Sequence, residues 1–239
     1  MHTITNLIKR VNHLFVLLIS MIGYVPKNAT IFRTIAFLFS LIFAFYLGRY
    51  QTGNYYLAIF YFLLSEVCYL SFIIIVLSEN GLRHWFTRIW GNINEGYTAY
   101  ETVLGFLFFH NAASIGYIAS SSPGSLFPFI QNDLLFIIVV ILFITGFTIK
   151  IWAAKVVGIE IYYWKDMFLG RKISDFVVSG PYKYISNPMY GIGQLQAYAI
   201  ALWYGSVIGL TAALVNQLLI FSFYFFIERK FIKRIYQGS

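Results

Sequence analysis

Asp133-Leu-Leu-Phe-Ile-Ile-Val-Val-Ile-Leu-Phe-Ile-Thr-Gly-Phe-Thr-Ile-Lys150 carries no charge between its ends. The apolar residues run continuously instead of alternating, which excludes a strand of a transmembrane barrel. About 20 such residues cross a hydrocarbon core of about 30 Å as a helix. The run continues to Lys165. A helix over 133–165 would be about 50 Å long, so it must tilt, kink or project beyond the bilayer. Its projecting end carries Glu160, Tyr162, Tyr163, Trp164 and Lys165.

Further apolar runs lie at about 29–48, 54–77, 102–121, 189–204 and 206–228. Only 11% of the chain is charged, where a soluble domain carries about 25%. The expected architecture is all-α: a polytopic transmembrane helix bundle of about six spans plus an N-terminal interfacial helix. That first helix is read over 3–25, because its apolar part, Leu14–Ile22, is short and follows Lys9 and Arg10. Residues 81–101 read as an amphipathic surface helix and linker, with Trp85 and Trp90 in the headgroup layer. Tyr204-Gly205-Ser206 implies a tight helical hairpin, and Gly205 and Gly209 form a small-xxx-small pair. The final helix is expected to run past Glu228 to about Tyr236. The chain divides into an N-terminal helical membrane region, 1–130, and a core, 131–239, integrated as one domain.

The net charge of +8 would point to nucleic acid in a soluble chain. Here the basic residues crowd into the N-terminus, the 80–101 and 165–187 loops and the tail, whereas the 122–132 loop and Gly205 have none. That is the positive-inside pattern, with Arg49 the exception. It places both termini and the 165–187 loop in the cytoplasm of a multi-pass protein of the endoplasmic reticulum, another organelle membrane or a bacterial inner membrane. No nucleic-acid partner is expected. Cys68 is the single cysteine, and His2, His13, His84 and His110 have no metal-ligand spacing, so no metal is expected. Val25-Pro26-Lys27-Asn28 offers no signal-peptide cleavage site. Gly191-Ile192-Gly193 lacks the preceding strand and third glycine of a dinucleotide loop.

Gly180-Pro181-Tyr182-Lys183-Tyr184-Ile185-Ser186-Asn187-Pro188-Met189-Tyr190-Gly191 is a polar, proline-bracketed stretch between apolar segments. Each proline fixes its backbone and breaks a helix. Each tyrosine brings an apolar ring with a polar tip. Residue by residue this is an interfacial turn with a tyrosine belt. As a string it is similar to the cofactor loop of the membrane-embedded methyltransferases, and the Asn-Pro-Met-Tyr form resembles the phospholipid N-methyltransferase family rather than the isoprenylcysteine carboxyl methyltransferases. Glu228-Arg229-Lys230-Phe231-Ile232-Lys233-Arg234-Ile235-Tyr236 resembles that family's Glu-Glu-x-Phe-x-x-x-Ile-Tyr ending, with Arg229 in place of the second acid. Gly158-Ile159-Glu160-Ile161-Tyr162-Tyr163-Trp164-Lys165 resembles the family's Gly-Asp-Tyr-Phe-Gly-Ile-Leu-Lys segment, with Gly158 and Lys165 in register. The resemblance covers 158–237.

The resemblance implies an integral-membrane methyltransferase that uses S-adenosylmethionine and N-methylates phosphatidylethanolamine or its methylated derivatives, with a membrane lipid as partner. It implies cofactor contacts at Gly158, Tyr182, Tyr184, Asn187, Pro188, Tyr190, Gly191 and Glu228. An ethanolamine headgroup is protonated at neutral pH and must lose a proton before it attacks; Glu160 is the first candidate base and Tyr190 the second. Glu66, His110 and Asn111 lie within apolar runs and are read as interhelical hydrogen-bond partners ahead of a substrate path. Three other readings stay open: a prenylcysteine or small-thiol acceptor, a non-catalytic scaffold or complex subunit of the same fold, and a nicotinamide-dependent reductase, which lacks a phosphate-binding set. A homo-oligomer or a larger membrane complex also stays open. The expected topology leaves the sequon Asn28-Ala29-Thr30 without glycan in a eukaryotic membrane; glycosylation at Asn28, or protection of the tail from protease in sealed vesicles, reverses it.

Overall fold

A computed structural model describes residues 2–49, 54–126 and 133–238. In chain order the helices are α1 (His2–Met21), α2 (Ile31–Arg49), α3 (Tyr55–Leu77), α4 (Arg83–Ile89), α5 (Ile93–Ser120), α6 (Asp133–Val157), α7 (Ile159–Tyr162), α8 (Lys165–Leu169), α9 (Leu195–Trp203), α10 (Val207–Phe223) and α11 (Arg229–Tyr236). A π-turn, Tyr224–Glu228, joins α10 to α11. No strand occurs among the described residues.

Among the described residues, four helices are long and apolar enough to cross a membrane: α3, α5, α6 and the continuous Val207–Tyr236. The apolar part of α2, Ile31–Leu47, is shorter. Three expected boundaries move. The third span starts at Ile93 and not near 102, because Asn92 caps the helix by accepting the Asn94 and Glu95 N–H groups. The run over 133–165 breaks at Gly158, whose φ of +85° and ψ of 154° only glycine adopts without strain. The fifth expected span, 189–204, is a 3₁₀ turn (Ile192–Gln194) followed by α9, and nine residues of helix rise only about 14 Å.

Leu134, Ile137, Ile141 and Ile144 form an exposed stripe on α6, matched by Ile31, Phe32, Ile35 and Phe39 on α2. Such continuous apolar exposure is tolerated where lipid covers it. On its other face α6 buries Val139, Gly146 and Ala153, spaced by seven as helix packing requires. There it lies against the start of α9: a Cβ on Gly146 would stand 2.5 Å from the Gln196 nitrogen.

Two packing styles hold the bundle. Toward the 165–187 loop the core is aromatic. Tyr100 stacks on Phe168 at 4.9 Å and Trp164 meets Phe223 edge-on at 5.2 Å, so α5 and α10 are joined through the α8 region. Toward the other end small residues bring helices close, with Ala58, Ala197, Ala212 and Ala213 buried together. α1 docks Leu17 and Met21 on Ala154 of α6. Tyr163 Oη donates to the Ser20 carbonyl at 2.7 Å, which fixes α1 over the broken end of α6.

Polar groups in the spans pair across helices, as an apolar surrounding demands. His110 bonds Tyr61 Oη at 2.7 Å and Ser40 Oγ at 3.1 Å. Asn216 Nδ2 donates to Glu66 Oε1 and to Asn111 Oδ1, both at 2.8 Å. Glu66 therefore pairs with an amide of α10, a partner that no sequence spacing indicates.

A Cβ on Gly209 would stand 2.7 Å from the Ala119 Cβ and 2.9 Å from its Cα, whereas one on Gly116 meets nothing within 4 Å. Gly209→Leu should therefore cost about 1–3 kcal/mol, read as a melting temperature lower by about 2–12 °C. Gly116→Ala should be neutral or stabilising by up to about 1 kcal/mol. Thermal melts of both variants in detergent check the pair.

Candidate functional site

Where α6 ends at Gly158 the chain turns back through α7 into Trp164, a tryptophan with φ of +53°. A bulky side chain in that region is strained, and the surroundings must hold it there. Trp164 is buried against Phe223 and lines the same cavity as Glu228. Two residues on, buried Asp166 accepts the Met167 N–H at 2.8 Å and the Tyr236 hydroxyl at 2.9 Å.

The 180–194 stretch folds as two 3₁₀ turns around Pro188. Gly191 N–H donates to the Asn187 carbonyl at 2.9 Å, and Gly193 N–H to the Pro188 carbonyl at 2.8 Å. The Gln217 side-chain amide of α10 donates to the Tyr190 carbonyl at 2.8 Å, and its Oε1 accepts Tyr198 Oη at 2.6 Å. The loop is thus fixed to α10 by its backbone, leaving Tyr190 free to reach Glu228. Tyr190 Oη donates to Glu228 Oε2 at 2.9 Å. Glu228 ends the π-turn, a wide turn often found at functional sites, in which Arg229 N–H bonds the Tyr224 carbonyl.

These groups line one cavity of about 720 Å³, within the usual range of ligand pockets. Tyr182, Asn187, Pro188, Tyr190 and Glu228 all face it, and so does Arg229. Gly158, Glu160, Tyr184 and Gly191 are not among its lining residues. Glu160 is exposed and pairs with Lys165 at 2.7 Å. Tyr184 is 76% exposed beside Lys183. Gly158 and Gly191 shape the backbone, one ending α6 and the other closing the loop's turn.

Trp164, Asp166, Lys150, Gln194 and Asn216 also line the cavity, and sequence reasoning passed them over as site residues. Asp166 had one signal: an acid beside Met167-Phe168-Leu169, where a surface loop would be polar. Burial pushes the Tyr190 hydroxyl well above its ordinary pKa, and the Glu228 carboxylate pushes it further. Tyr182 moves the same way for the same two reasons. Both therefore stay neutral donors. Burial also raises the Asp166 carboxyl, against the opposing pull of the Tyr236 hydrogen bond.

Membrane-length helices around a cavity with carboxylates and aromatic rings at its loop end define a polytopic helical membrane protein with an interhelical ligand site. Residues 134–239 match the model of the phospholipid methyltransferase family. The chain is similar to three proteins named as phosphatidylethanolamine N-methyltransferases. The one from Eremothecium gossypii is 32% identical over 88 residues, 37% of this chain and 10% of the relative. Form B from Dictyostelium discoideum is 25% identical over 154 residues, 64% of this chain and 75% of the relative. The one from Schizosaccharomyces pombe is 30% identical over 95 residues, 40% of this chain and 10% of the relative. The chain therefore matches about a tenth of the length of the first and third relatives. No solved structure is significantly similar to it.

An acid with a raised native pKa keeps a proton that the unfolded chain has lost. Its favourable share of stability is present below the ordinary carboxylate pKa of about 4 and is lost as pH rises through the native value. Asp166→Asn should remove that loss. The melting temperature of the variant relative to the parent should thus climb as pH rises from about 4 toward neutrality; a pH-independent difference would contradict the assignment to Asp166.

Proposed function

We propose that this chain transfers a methyl group from S-adenosylmethionine to the amine of phosphatidylethanolamine or its partly methylated forms, at the loop end of the cavity. The observation that carries the reading is the Tyr190–Glu228 hydrogen bond, a neutral phenol on a carboxylate inside an aromatic wall. The names of the relatives support the acceptor.

The residues present fit the methyl donor. Its sulfonium and adenine call for aromatic faces, which Trp164, Tyr182 and Tyr190 provide. Its amine and ribose hydroxyls call for acceptors, which Glu228 and Asp166 provide. Arg229 stands where a second acid is expected; Asp166, brought into the same cavity from α8, fills that electrostatic place. When bound, the donor supplies an electrophilic methyl group.

The chain's own residues supply position and a proton path. The acceptor ammonium donates to Tyr190 Oη, and Tyr190 passes a proton to Glu228 Oε2, 2.9 Å away, leaving the nitrogen lone pair free. Glu160, exposed and paired with Lys165, gives way to this pair in the proposal. The aromatic wall keeps water from competing for the methyl group. Of the cations that the sequence offers a prenylcysteine carboxylate, Arg171 and Lys172 are not among the lining residues, and Lys172 pairs with Asp175 at 2.9 Å, whereas Arg229 and Lys233 do line the cavity. The 165–187 loop, the cavity mouth and both termini face the cytoplasm in this proposal.

Radiolabelled S-adenosylmethionine offered with phosphatidylethanolamine, prenylcysteine or no acceptor tests the reading; label in the phospholipid alone is expected. Calorimetric titration should show Glu228→Gln binding the donor about 10- to 100-fold more weakly, the value of one charge-assisted hydrogen bond. A correctly folded parent that binds no donor ends the enzyme reading.

A further inference from the structure

Lys150 lies within the apolar helix α6, seven residues from its end at Val157, or about 10 Å below it. A lysine at that depth is costly and marks function by default. Its ammonium group faces the cavity, 5.6 Å from the centroid of the Phe108 ring. No hydrogen bond or ion pair to Lys150 Nζ exists among the described residues. The acids of this region are already engaged: Glu228 by Tyr190, Asp166 by Tyr236, Glu66 by Asn216. The side-chain nitrogen of Asn111, one turn along α5 from Phe108, is likewise buried without an acceptor.

The cavity has an order along α6. Phe143 and Phe147 line it on the side away from the loop, facing Ala112 and Ile115 of the antiparallel α5; Lys150 comes next, and the Tyr190–Glu228 pair lies at the loop end. Apolar wall, one cation within the span, then an acid-and-aromatic end with Arg229 and Lys233 exposed beside it, is the order of acyl chain, phosphodiester and amine in an ethanolamine phospholipid. The loop also makes room for the cation. Gly193 is buried under the Lys150 stem, and a Cβ there would lie 3.4 Å from Lys150 Cβ and 3.0 Å from the Pro188 carbonyl oxygen.

We propose that Lys150, assisted by the Asn111 amide, binds the phosphodiester of the acceptor lipid and sets how deep its amine reaches toward Tyr190. This rests on the reading of the chain as a phospholipid methyltransferase. It makes Lys150 the residue that distinguishes a phospholipid from an amphiphilic amine lacking phosphate.

The test compares the parent with Lys150→Met and Lys150→Arg, each checked by its melting temperature. Native mass spectrometry reads retention of phosphatidylethanolamine against diacylglycerol, and steady-state assays give KM for phosphatidylethanolamine and for an alkyl aminoethyl ether without phosphate. Lys150→Met should lose about 10- to 100-fold in affinity and in KM for the phospholipid, with donor affinity and the phosphate-free amine unaffected. Lys150→Arg should retain most of the parent's affinity. An active parent whose Lys150→Met variant binds the phospholipid as before overturns the proposal alone. So does an equal loss of donor affinity, which would assign Lys150 to the donor's carboxylate, or a loss confined to prenylcysteine. A parent that neither binds nor methylates phosphatidylethanolamine removes the functional reading, and the proposal with it.

Discussion

The hydrogen bond from Tyr190 to Glu228 ties the irregular 180–194 loop to the end of the last span, beyond the anchor that Gln217 gives the loop backbone. One partner belongs to an irregular loop whose backbone polar groups need acceptors at membrane depth, where no water offers them. The other is a carboxylate at the end of a span, which needs a donor for the same reason. Each need answers the other, and the remaining fixtures follow from holding them together. Gln217 fixes the loop backbone, Trp164 lines the same cavity from a strained backbone, and the aromatic core packs beside them.

The bundle's helices were largely legible in the sequence because lipid enforces length and apolarity on any span. The α3 span fell where hydropathy placed it. Boundaries set by single side chains were harder. Asn92 begins α5 nine residues before the apolar run, since a cap acts through one hydrogen bond and not through hydropathy. Gly158 had been read for its motif, yet its structural part is to let the backbone reverse after α6. The 189–204 run had the apolarity of a span but too few helical residues, because Pro188 and the glycines after it hold the chain in 3₁₀ turns.

The candidate site divides along similar lines. Tyr182, Asn187, Pro188, Tyr190 and Glu228 belong to recognisable strings, and they line one cavity. Asp166 and Lys150 belong to no string. Their placement depends on how α8 folds back under α5 and on which face α6 turns inward, and both are settled by long-range packing such as Tyr100 on Phe168. Glu160 shows the converse: a motif neighbour with the right charge, drawn to Lys165 at the surface by an ordinary ion pair.

The π-turn at Tyr224–Glu228 acts as a gear that changes the phase of the last helix. Along α10 the buried positions Asn216, Ile220 and Phe223 advance by four and three, a rhythm that would next turn Ile227 inward. The wide turn takes up one extra residue, so Glu228 inherits that inward bearing and buried Phe231 follows it. Arg229 and Lys230 are both exposed, and of the two only Arg229 lines the cavity. A single turn of altered pitch thus sets an acid and the cation after it side by side at the cavity, and neither amphipathic phase read from either helix alone would contain both.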